Sequence, residues 1–551
     1  MKGSLLVAIV MVLVGCRSTA PFSKGDVKGA QKVAGLAFTD DEIETLQSNL
    51  RRNLTSYLEL REHPLDNAIA PVLWFEPRPA GFQMPAGGDE VALQLPISVK
   101  RPADGEFAYM TVAELAALLR QGDTTSLELT EYFLARLRKF DPQLKAVVTL
   151  TEERARERAG KADREIAAGM WRGPLHGIPY GTKDLLAVPG YPTTWGAGPY
   201  RDQVIDRTAG VISRLDEAGA VLLAKLVSGE LANGDRWFGG RTMTPWDSTT
   251  GASGSSAGPG SATAAGLVPF AIGTETWGSI ISPSSRNGLT GLRPTYGLVS
   301  RYGTMTLSWS LDKIGPMCRN ALDCALVFDA IRGVDANDPS TIAAPLVVGG
   351  QRDWSELRVG YLKAAFDSDT TATGRNAMEA VELFREMGAR VDSAALPGPL
   401  SWGGVIGTVI RAESGAVFDE LLQTNQDDSL FWQTGGSRAN SLRQSRFIPA
   451  SEYIQANRHR SLLLVRMDSL MQEFDFLIAP SGADGSVTNL TGHPAITVMS
   501  GFRPMTDDPD GKLPTGVSFI GRLYDEGLLL DAAIEYQRRT KFHLEHPPNF
   551  R

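Results

Sequence analysis

The stretch from Thr249 to Pro283 constrains the fold of this chain more than any other feature. It holds a glycine- and serine-rich turn around Ser255, a run of small residues typical of a closely packed helix, an apolar strand, and a second turn around Ser279. The two turns flank one helix and one strand, so a compact fold can bring the two hydroxyl groups close together. The stretch therefore predicts a site built on two serines.

A lysine that ends a short apolar run is the natural partner for these serines. The segment 177–184 reads GIPYGTKD, with Lys183 and Asp184 at its end. In an apolar setting a lysine loses the hydration of its charged form, and its pKa falls from about 10.4 toward neutrality. Such a lysine is a usable general base without histidine. The alternative interpretation is a solvated lysine at a strand end that pairs with Asp184.

The glycine-rich turn fits two other motifs less well. A Walker phosphate loop requires Gly-Lys-Ser/Thr, and the run 258–260 offers no lysine. The run 254–258 does match G-x-S-x-G, the nucleophile elbow of α/β-hydrolases, with Ser256 as the nucleophile. That elbow must follow a strand directly, but residues 245–250 form a turn-rich run, and the downstream histidines lie in unsuitable contexts. The sequence favours Ser255 and Ser279 instead.

Several runs in this chain together resemble the amidase signature family. The two serines are separated by 24 positions, as they are in that family, and the matches follow the family order from about Tyr109 to about His546. The runs that carry the resemblance are PLHGIP at 174–179 leading into Lys183, GSSAG at 254–258, the turn around Ser279, GLRPTYGLVSR at 291–301, LDKIGPM at 311–317 and NLTGHPA at 489–495.

The resemblance implies both a fold and a mechanism. The fold is a single large α/β/α domain with a mixed sheet of about eleven strands. Ser279 is the acyl-accepting nucleophile, Ser255 is a bridging serine after a cis peptide bond, and neutral Lys183 is the base. The backbone N–H groups that form the oxyanion hole are those of Thr276, Trp277, Gly278 and Ser279. The resemblance implies no metal ion and no organic cofactor.

Three residues beside the nucleophile depart from the family pattern. Glu275 stands where an aspartate is usual, Trp277 replaces the first glycine of a pair, and Ile281 replaces an arginine. Because the oxyanion donors are backbone groups, Trp277 can still donate, but its indole adds bulk near the acyl site. We therefore expect catalysis to be retained and the substrate to differ.

Periodicity independently predicts an α/β protein with helices on both faces of a sheet. Capping boxes at Thr39, Thr111 and Thr125 are expected to open helices. Residues 17–38 are expected to be a tether, and the proline-containing segment 63–104 an extended arm. Strands are predicted near 146–150, 178–182, 220–225, 267–272, 357–362, 390–393, 474–479, 496–499 and 517–520.

The first sixteen residues have the features of a targeting segment. Residues 5–14 are apolar and too few to span a membrane, and Gly15-Cys16 resembles a bacterial lipobox in which Cys16 receives the lipid. A plain secretory signal is the alternative. The predicted divisions are a lipoprotein signal peptide at 1–16, a tether and N-terminal helical arm at 17–107, and an amidase domain at 108–551. This organisation predicts a lipid-anchored protein of the bacterial cell envelope. Arg17, which follows the cysteine, favours the outer membrane and its periplasmic face if the source has an outer membrane.

Charge and cysteine content argue against some classes of partner and of binding site. The chain has 63 acidic and 55 basic residues, a net charge of −8, which disfavours nucleic-acid binding. Cys318 and Cys324 are expected to be buried thiols rather than a disulfide, and no His/Cys pattern suggests a structural zinc. His176 is expected to form structural hydrogen bonds rather than to act in catalysis. The expected partners are a small amide substrate and, through the lipid, a membrane.

The sequence leads to one function and leaves two alternatives open. The first prediction is hydrolysis of a carboxylic amide to an acid and an amine or ammonia. The alternatives are the glutamine-hydrolysing component of a tRNA-dependent amidotransferase, and a surface-anchored binding protein that has lost catalysis. The acyl pocket is expected to be lined by parts of residues 185–240 and 400–450.

Overall fold

The fold is described from a computed structural model that covers residues 22–63, 65–69, 71–103, 105–505 and 511–550. The predicted signal segment and its Cys16 lie outside these residues. The chain divides into two compact units, residues 1–65 and 66–551.

The described part of the first unit consists of two helices, α1 (Lys24–Val33) and α2 (Asp40–Arg61). Thr39 caps α2 with the predicted capping box. Helix α1 differs from the expectation of a tether. It begins with a capping box between Ser23 and Asp26, so the S-x-x-D signal of a helix start was present in the sequence.

The second unit contains all the described strands and the remaining helices. The strands are β1 (Glu90–Val91), β2 (Val147–Leu150), β3 (Pro179–Lys183), β4 (Val221–Leu226), β5 (Arg236–Trp237), β6 (Gly240–Arg241), β7 (Met243–Thr244), β8 (Asp247–Gly251), β9 (Phe270–Glu275), β10 (Thr290–Arg293), β11 (Lys313–Cys318), β12 (Val347–Val348), β13 (Arg358–Leu362), β14 (Arg390–Ala394), β15 (Phe476–Pro480), β16 (Ala495–Pro504) and β17 (Lys512–Gly521). The helices are α3 (Val112–Gln121), α4 (Ser126–Leu144), α5 (Glu152–Ala167), α6 (Gly210–Glu217), α7 (Ala257–Ala264), α8 (Ile281–Asn287), α9 (Ala321–Ile331), α10 (Lys363–Ser368), α11 (Ala372–Glu386), α12 (Trp402–Val417), α13 (Asp419–Gln423), α14 (Arg438–Ser445), α15 (Ala450–Glu473), α16 (Gly485–Thr491) and α17 (Glu526–Thr540).

Eleven of the described strands form one mixed sheet. Their order is β14-β13-β15-β17-β16-β10-β11-β9-β3-β4-β2. Strands β3, β4 and β9 run parallel to one another, whereas β9, β11, β10, β16 and β17 pair antiparallel in turn. This confirms the α/β class and the mixed sheet.

The nine predicted strand positions correspond to strands of this sheet, but the central pair β10 and β11 was not predicted from periodicity. Both strands are buried along their whole length, so they show no alternation of polar and apolar residues. Gly291 and Pro316 also interrupt their apolar character. Their sequences were recognised only as family runs.

The packing around the sheet confirms two smaller expectations. Thr111 and Thr125 cap α3 and α4 through their side chains, although only Thr111 completes a reciprocal box. Cys318 on β11 and Cys324 on α9 are both buried free thiols. None of the described helices has the length and apolar character needed to cross a bilayer.

Candidate active site

The three predicted site residues meet at one edge of the sheet. Strands β3 and β9 are parallel neighbours, with Gly181 opposite Ala271. Because parallel strands end at the same edge, Lys183 at the end of β3 lies beside the turn that follows β9. Ser255 stands two residues before α7, the helix that leads into β9, and Ser279 stands two residues before α8.

Lys183 is fully buried, and its hydrogen-bond partners in the described part of the chain are all neutral. Its Nζ lies 2.8 Å from Ser255 Oγ, 2.8 Å from Thr274 Oγ1 and 3.4 Å from the Thr274 carbonyl oxygen. Burial lowers the pKa of Lys183 to about 7, against the opposing charges of Asp312 and Glu275. A substantial fraction of Lys183 is therefore neutral at physiological pH.

The alternative of a solvated Lys183 paired to Asp184 is wrong. Asp184 is itself buried, and its Oδ1 lies 2.8 Å from Nζ of Lys225 on the neighbouring strand β4. Its Oδ2 accepts hydrogen bonds from the backbone and side chain of Thr194. No carboxylate of a described residue lies within 4 Å of the Lys183 ammonium nitrogen.

The first turn presents Ser255 to Lys183. The Gly254–Ser255 peptide bond is cis, as the resemblance implies. A Cβ at position 254 would lie 1.9 Å from the carbonyl oxygen of Gly234, so only glycine fits there. Ser255 itself is buried, with 1% of its surface exposed.

Ser256, the nucleophile of the alternative elbow, has a structural position. It is fully buried, its hydroxyl donates to the Thr274 carbonyl, and the hydroxyl oxygen accepts from the Thr274 N–H. Contrary to the sequence-based expectation, a strand does precede this turn, since β8 covers 247–251. That strand belongs to a separate two-stranded sheet with β7.

The second turn carries Ser279 at the wall of a cavity of about 380 Å³. Ser279 is 9% exposed, and among the described residues its hydroxyl has no hydrogen-bond partner, Ser255 included. The two turns are joined by a backbone hydrogen bond of 3.3 Å from Ser256 N–H to the Ser279 carbonyl. The Ser279 hydroxyl is thus open to the cavity.

The backbone of the second turn is arranged as a set of open donors. The N–H groups of Trp277, Gly278 and Ser279 donate to no acceptor within the part of the chain that the structure describes. Gly278 has φ +86°, in the left-handed region that favours glycine. Thr276 anchors the start of the turn, since its hydroxyl donates to Asp312 Oδ1 at 2.5 Å.

Glu275 holds the end of this turn. Its Oε2 accepts hydrogen bonds from the backbone N–H of Ile280 at 2.7 Å and of Ile281 at 3.0 Å, and its Oε1 lies 2.9 Å from Arg293 Nη1. Burial opposes the charge of Glu275, but Arg293 and the two N–H donors outweigh it and hold its pKa at about 2. The longer acid at this position thus connects Arg293 on β10 to the end of the second turn.

The other two departures from the family pattern have different surroundings. Trp277 is 45% exposed and lines the cavity, with its indole against the start of α16. Ile281 is buried in an apolar cluster with Leu311 and Ala495. An aromatic face therefore borders the site, whereas position 281 contributes packing.

The cavity wall confirms the predicted pocket regions. Its lining includes Ala232 to Gly234 and segments of α12 and α14, which fall within 185–240 and 400–450. Arg438 is buried there and donates to the carbonyl oxygens of Leu231 and Ala232, two residues with positive φ. Burial lowers the pKa of Arg438 to about 10.

His176 has the structural role expected of it. The ring is buried away from the cavity, with Nε2 3.1 Å from Glu165 and Nδ1 accepting from the Arg172 N–H. Sequence reasoning missed Thr274, whose side chain contacts Lys183, and Arg411, whose side chain lines the cavity. Thr274 lies in the stretch 249–283 and Arg411 in a predicted pocket region, but the contact of Thr274 with Lys183 and the position of Arg411 in the cavity wall depend on the tertiary structure.

Comparisons with known proteins identify the family of the chain. The model of the family described as Amidase matches residues 128–488. An A-type subunit of glutamyl-tRNA(Gln) amidotransferase from Thioalkalivibrio sulfidiphilus is 32% identical over 487 residues, 80% of this chain and 99% of that protein. The corresponding protein of Chloroflexus aggregans is 33% identical over 491 residues, with 80% and 99% covered. The native peptide amidase of Stenotrophomonas maltophilia has a similar structure, with a TM-score of 0.69, 30% identity, and 81% and 99% of the two chains covered.

Proposed function

The chain belongs to the amidase family, and on this premise we propose that it hydrolyses a carboxylic amide through an acyl-enzyme on Ser279. The observation that carries the proposal is the 2.8 Å hydrogen bond between fully buried Lys183 and Ser255, beside an open Ser279 hydroxyl. A buried, largely neutral amine next to a hydroxyl relay is the arrangement that serine activation without histidine requires.

The chemistry follows from the placement of the three side chains. Ser279 Oγ attacks the amide carbonyl carbon while its proton passes to Ser255, whose own proton passes to Lys183 Nζ. The N–H groups of the second turn stabilise the oxyanion. Collapse of the tetrahedral intermediate breaks the C–N bond, and the proton returns through Ser255 to the leaving nitrogen. Water then cleaves the ester by the same relay and releases the acid.

The Ser255 and Ser279 hydroxyls must approach each other for this relay. In enzymes without substrate, catalytic hydrogen bonds are often long and shorten in the substrate complex. The open Ser279 side chain is compatible with a rotation toward Ser255 when an acyl group enters the cavity.

A fluorophosphonate probe tests the proposal directly. We expect the probe to label the purified chain on Ser279, located by peptide mass mapping, and the Ser279→Ala variant to lose both labelling and amide hydrolysis. Labelling of Ser256 instead would identify the alternative elbow. Unlabelled, folded protein with no amide turnover would support the binding protein that has lost catalysis.

A second candidate is the glutamine-hydrolysing component of an amidotransferase. The similarity to A-type amidotransferase subunits, which is nearly complete over their length, supports this candidate more than it supports a free-standing amidase. The two candidates share the acyl-enzyme chemistry and differ in substrate and partner. Purification from native cells separates them, because an amidotransferase component would be recovered with its partner proteins and would prefer glutamine.

We also propose that the chain is held at the cell envelope by a lipid on Cys16. The support is the apolar run followed by Gly15-Cys16 in the sequence. The expected result is that native protein sediments with membranes and that Cys16→Ser releases it into the soluble fraction. Equal partition of both proteins would contradict the anchor.

A further inference from the structure

The cavity in front of Ser279 contains two arginines and no acidic side chain. Arg411 on α12 and Arg438 on α14 both line it, and the other described lining residues are uncharged. Neither guanidinium lies within 4 Å of a carboxylate of a described residue. The described lining of the cavity therefore carries two positive charges and no negative charge.

The two arginines differ in the hydrogen bonds that hold their guanidinium groups in place. Arg438 is bound to two backbone carbonyl oxygens, so it is part of the wall. The guanidinium of Arg411 makes no hydrogen bond or ion pair with any residue that the structure describes. It lies over Gly407, where a Cβ would approach its Nη1 to 3.1 Å, so the glycine leaves room for it.

Two acidic residues on neighbouring segments, Glu413 and Asp312, are bound to other groups. Glu413, two positions from Arg411 on the same helix, accepts hydrogen bonds from the Ser308, Ser310 and Tyr453 hydroxyls. Asp312 accepts from Thr276 and from two backbone N–H groups. The Arg411 guanidinium therefore presents its N–H donors to the cavity, where water or a bound anion can accept from them.

We propose that the amide substrate carries a carboxylate bound by Arg411 and lacks a free ammonium group. This inference rests on the proposed function, whose substrate it specifies. The planar fork of arginine pairs with a carboxylate through two parallel hydrogen bonds. The described lining of the cavity offers no carboxylate to receive an ammonium group, so a zwitterionic amide such as glutamine would lose hydration there without gaining a counter-charge.

Matched amides test this specificity. Succinamate and glutaramate carry the carboxylate alone, butyramide and pentanamide carry no charge, and asparagine and glutamine add an α-ammonium to the first pair. We expect kcat/KM for the better monoamide to exceed that of its uncharged match by at least about tenfold, the typical worth of a charge-assisted hydrogen bond. It should exceed that of its amino-acid match by a similar factor.

The Arg411→Gln variant is expected to remove most of the preference for the monoamide over its uncharged match, and Arg411→Lys to retain part of it. Arg466→Gln is the matched control, because it makes the same charge change on an exposed residue whose guanidinium donates to Gly398. The control should keep the preference. An unchanged preference in Arg411→Gln, or glutamine as the best amide, would overturn the inference.

Binding measured without turnover separates this inference from the proposed function. Calorimetry with succinate and glutarate on the Ser279→Ala protein should show binding that Arg411→Gln weakens at least about tenfold. If this binding is found but no amide is hydrolysed by the unaltered chain, the proposed function fails and the anion site stands. If amides are hydrolysed but neither dicarboxylate binds, the function stands and the anion site fails.

Discussion

Two fully buried lysines on adjacent strands have opposite surroundings. Lys225 on β4 lies 2.8 Å from the Asp184 carboxylate and also contacts the Pro192 carbonyl and the Thr193 hydroxyl. Among the described residues, Lys183 on β3 forms side-chain hydrogen bonds only with Ser255 and Thr274. Burial lowers the pKa of both lysines. For Lys225 a carboxylate in direct contact opposes this lowering, whereas for Lys183 the charges of Asp312 and Glu275 oppose it without a direct contact. Burial alone therefore does not make a base; the proposed base is the lysine whose hydrogen-bond partners are neutral.

The largest expected effect is on catalysis, from Lys183→Met. Loss of the general base should lower kcat/KM by at least about 10³-fold, within the range of acid–base contributions. The melting temperature should not fall, because methionine fits a buried site without a charge. The check is amide turnover together with thermal unfolding. A variant that is inactive because it is unfolded would contradict the functional assignment of Lys183.

The next largest effect is on stability, from Lys225→Met. This change leaves the Asp184 carboxylate buried without its cation and should lower the free energy of unfolding by about 3–5 kcal/mol. Denaturant unfolding measures the loss. The double variant Lys225→Met with Asp184→Leu is the control and should recover most of it, because an apolar pair can replace a buried ion pair. If the single variant were as stable as the parent, the assignment of Lys225 to structure would fail.

The pH profile sharpens the contrast between the lysines. Lys183 must be neutral to accept a proton, so kcat/KM for an uncharged amide should rise about tenfold per pH unit below pH 7 and level off above it. Initial rates between pH 5 and 9 give this profile. If kcat/KM instead rose until about pH 10, Lys183 would be charged in the folded protein at neutral pH.

The smallest effect is expected from Thr274→Val. The hydroxyl oxygen that accepts from Lys183 at 2.8 Å stabilises the charged amine more than the neutral amine. Its removal should move the acidic limb of the profile down by about one pH unit or less, the equivalent of one hydrogen bond. The backbone bonds between residue 274 and Ser256 remain in this variant. An upward shift would contradict the proposed contact.

The sequence predicts the three candidate catalytic residues better than the residues that pack around them. Lys183, Ser255 and Ser279 are identifiable because short-range features accompany them: an apolar run, glycines and a fixed spacing. The Lys225–Asp184 pair is not identifiable, since it joins residues 41 positions apart whose proximity depends on the pairing of β3 with β4. The sequence instead made Lys183 the candidate partner of Asp184, because adjacency is all that it shows.

The parts of the structure that the sequence analysis did not predict also differ in whether their sequence signal is local or depends on distant residues. Strands β10 and β11 are buried on both faces and show no period. Arg411 lies on a helix whose cavity-facing side is defined only once α12, α14 and the 231–234 loop are assembled. Helix α1 is the opposite case, because its Ser23–Asp26 capping signal is local and could have been recognised.

The buried Lys183 also couples folding to proton release. In the unfolded chain this lysine binds a proton up to about pH 10.4, whereas in the folded chain it releases it near pH 7. Between these values the unfolded state holds more protons, so this group makes the free energy of unfolding increase with pH, by at most about 1.4 kcal/mol per unit. When a molecule folds near pH 8, Lys183 therefore releases about one proton to the solvent. A fall in pH toward 7 protonates the proposed base and also lowers the free energy of unfolding.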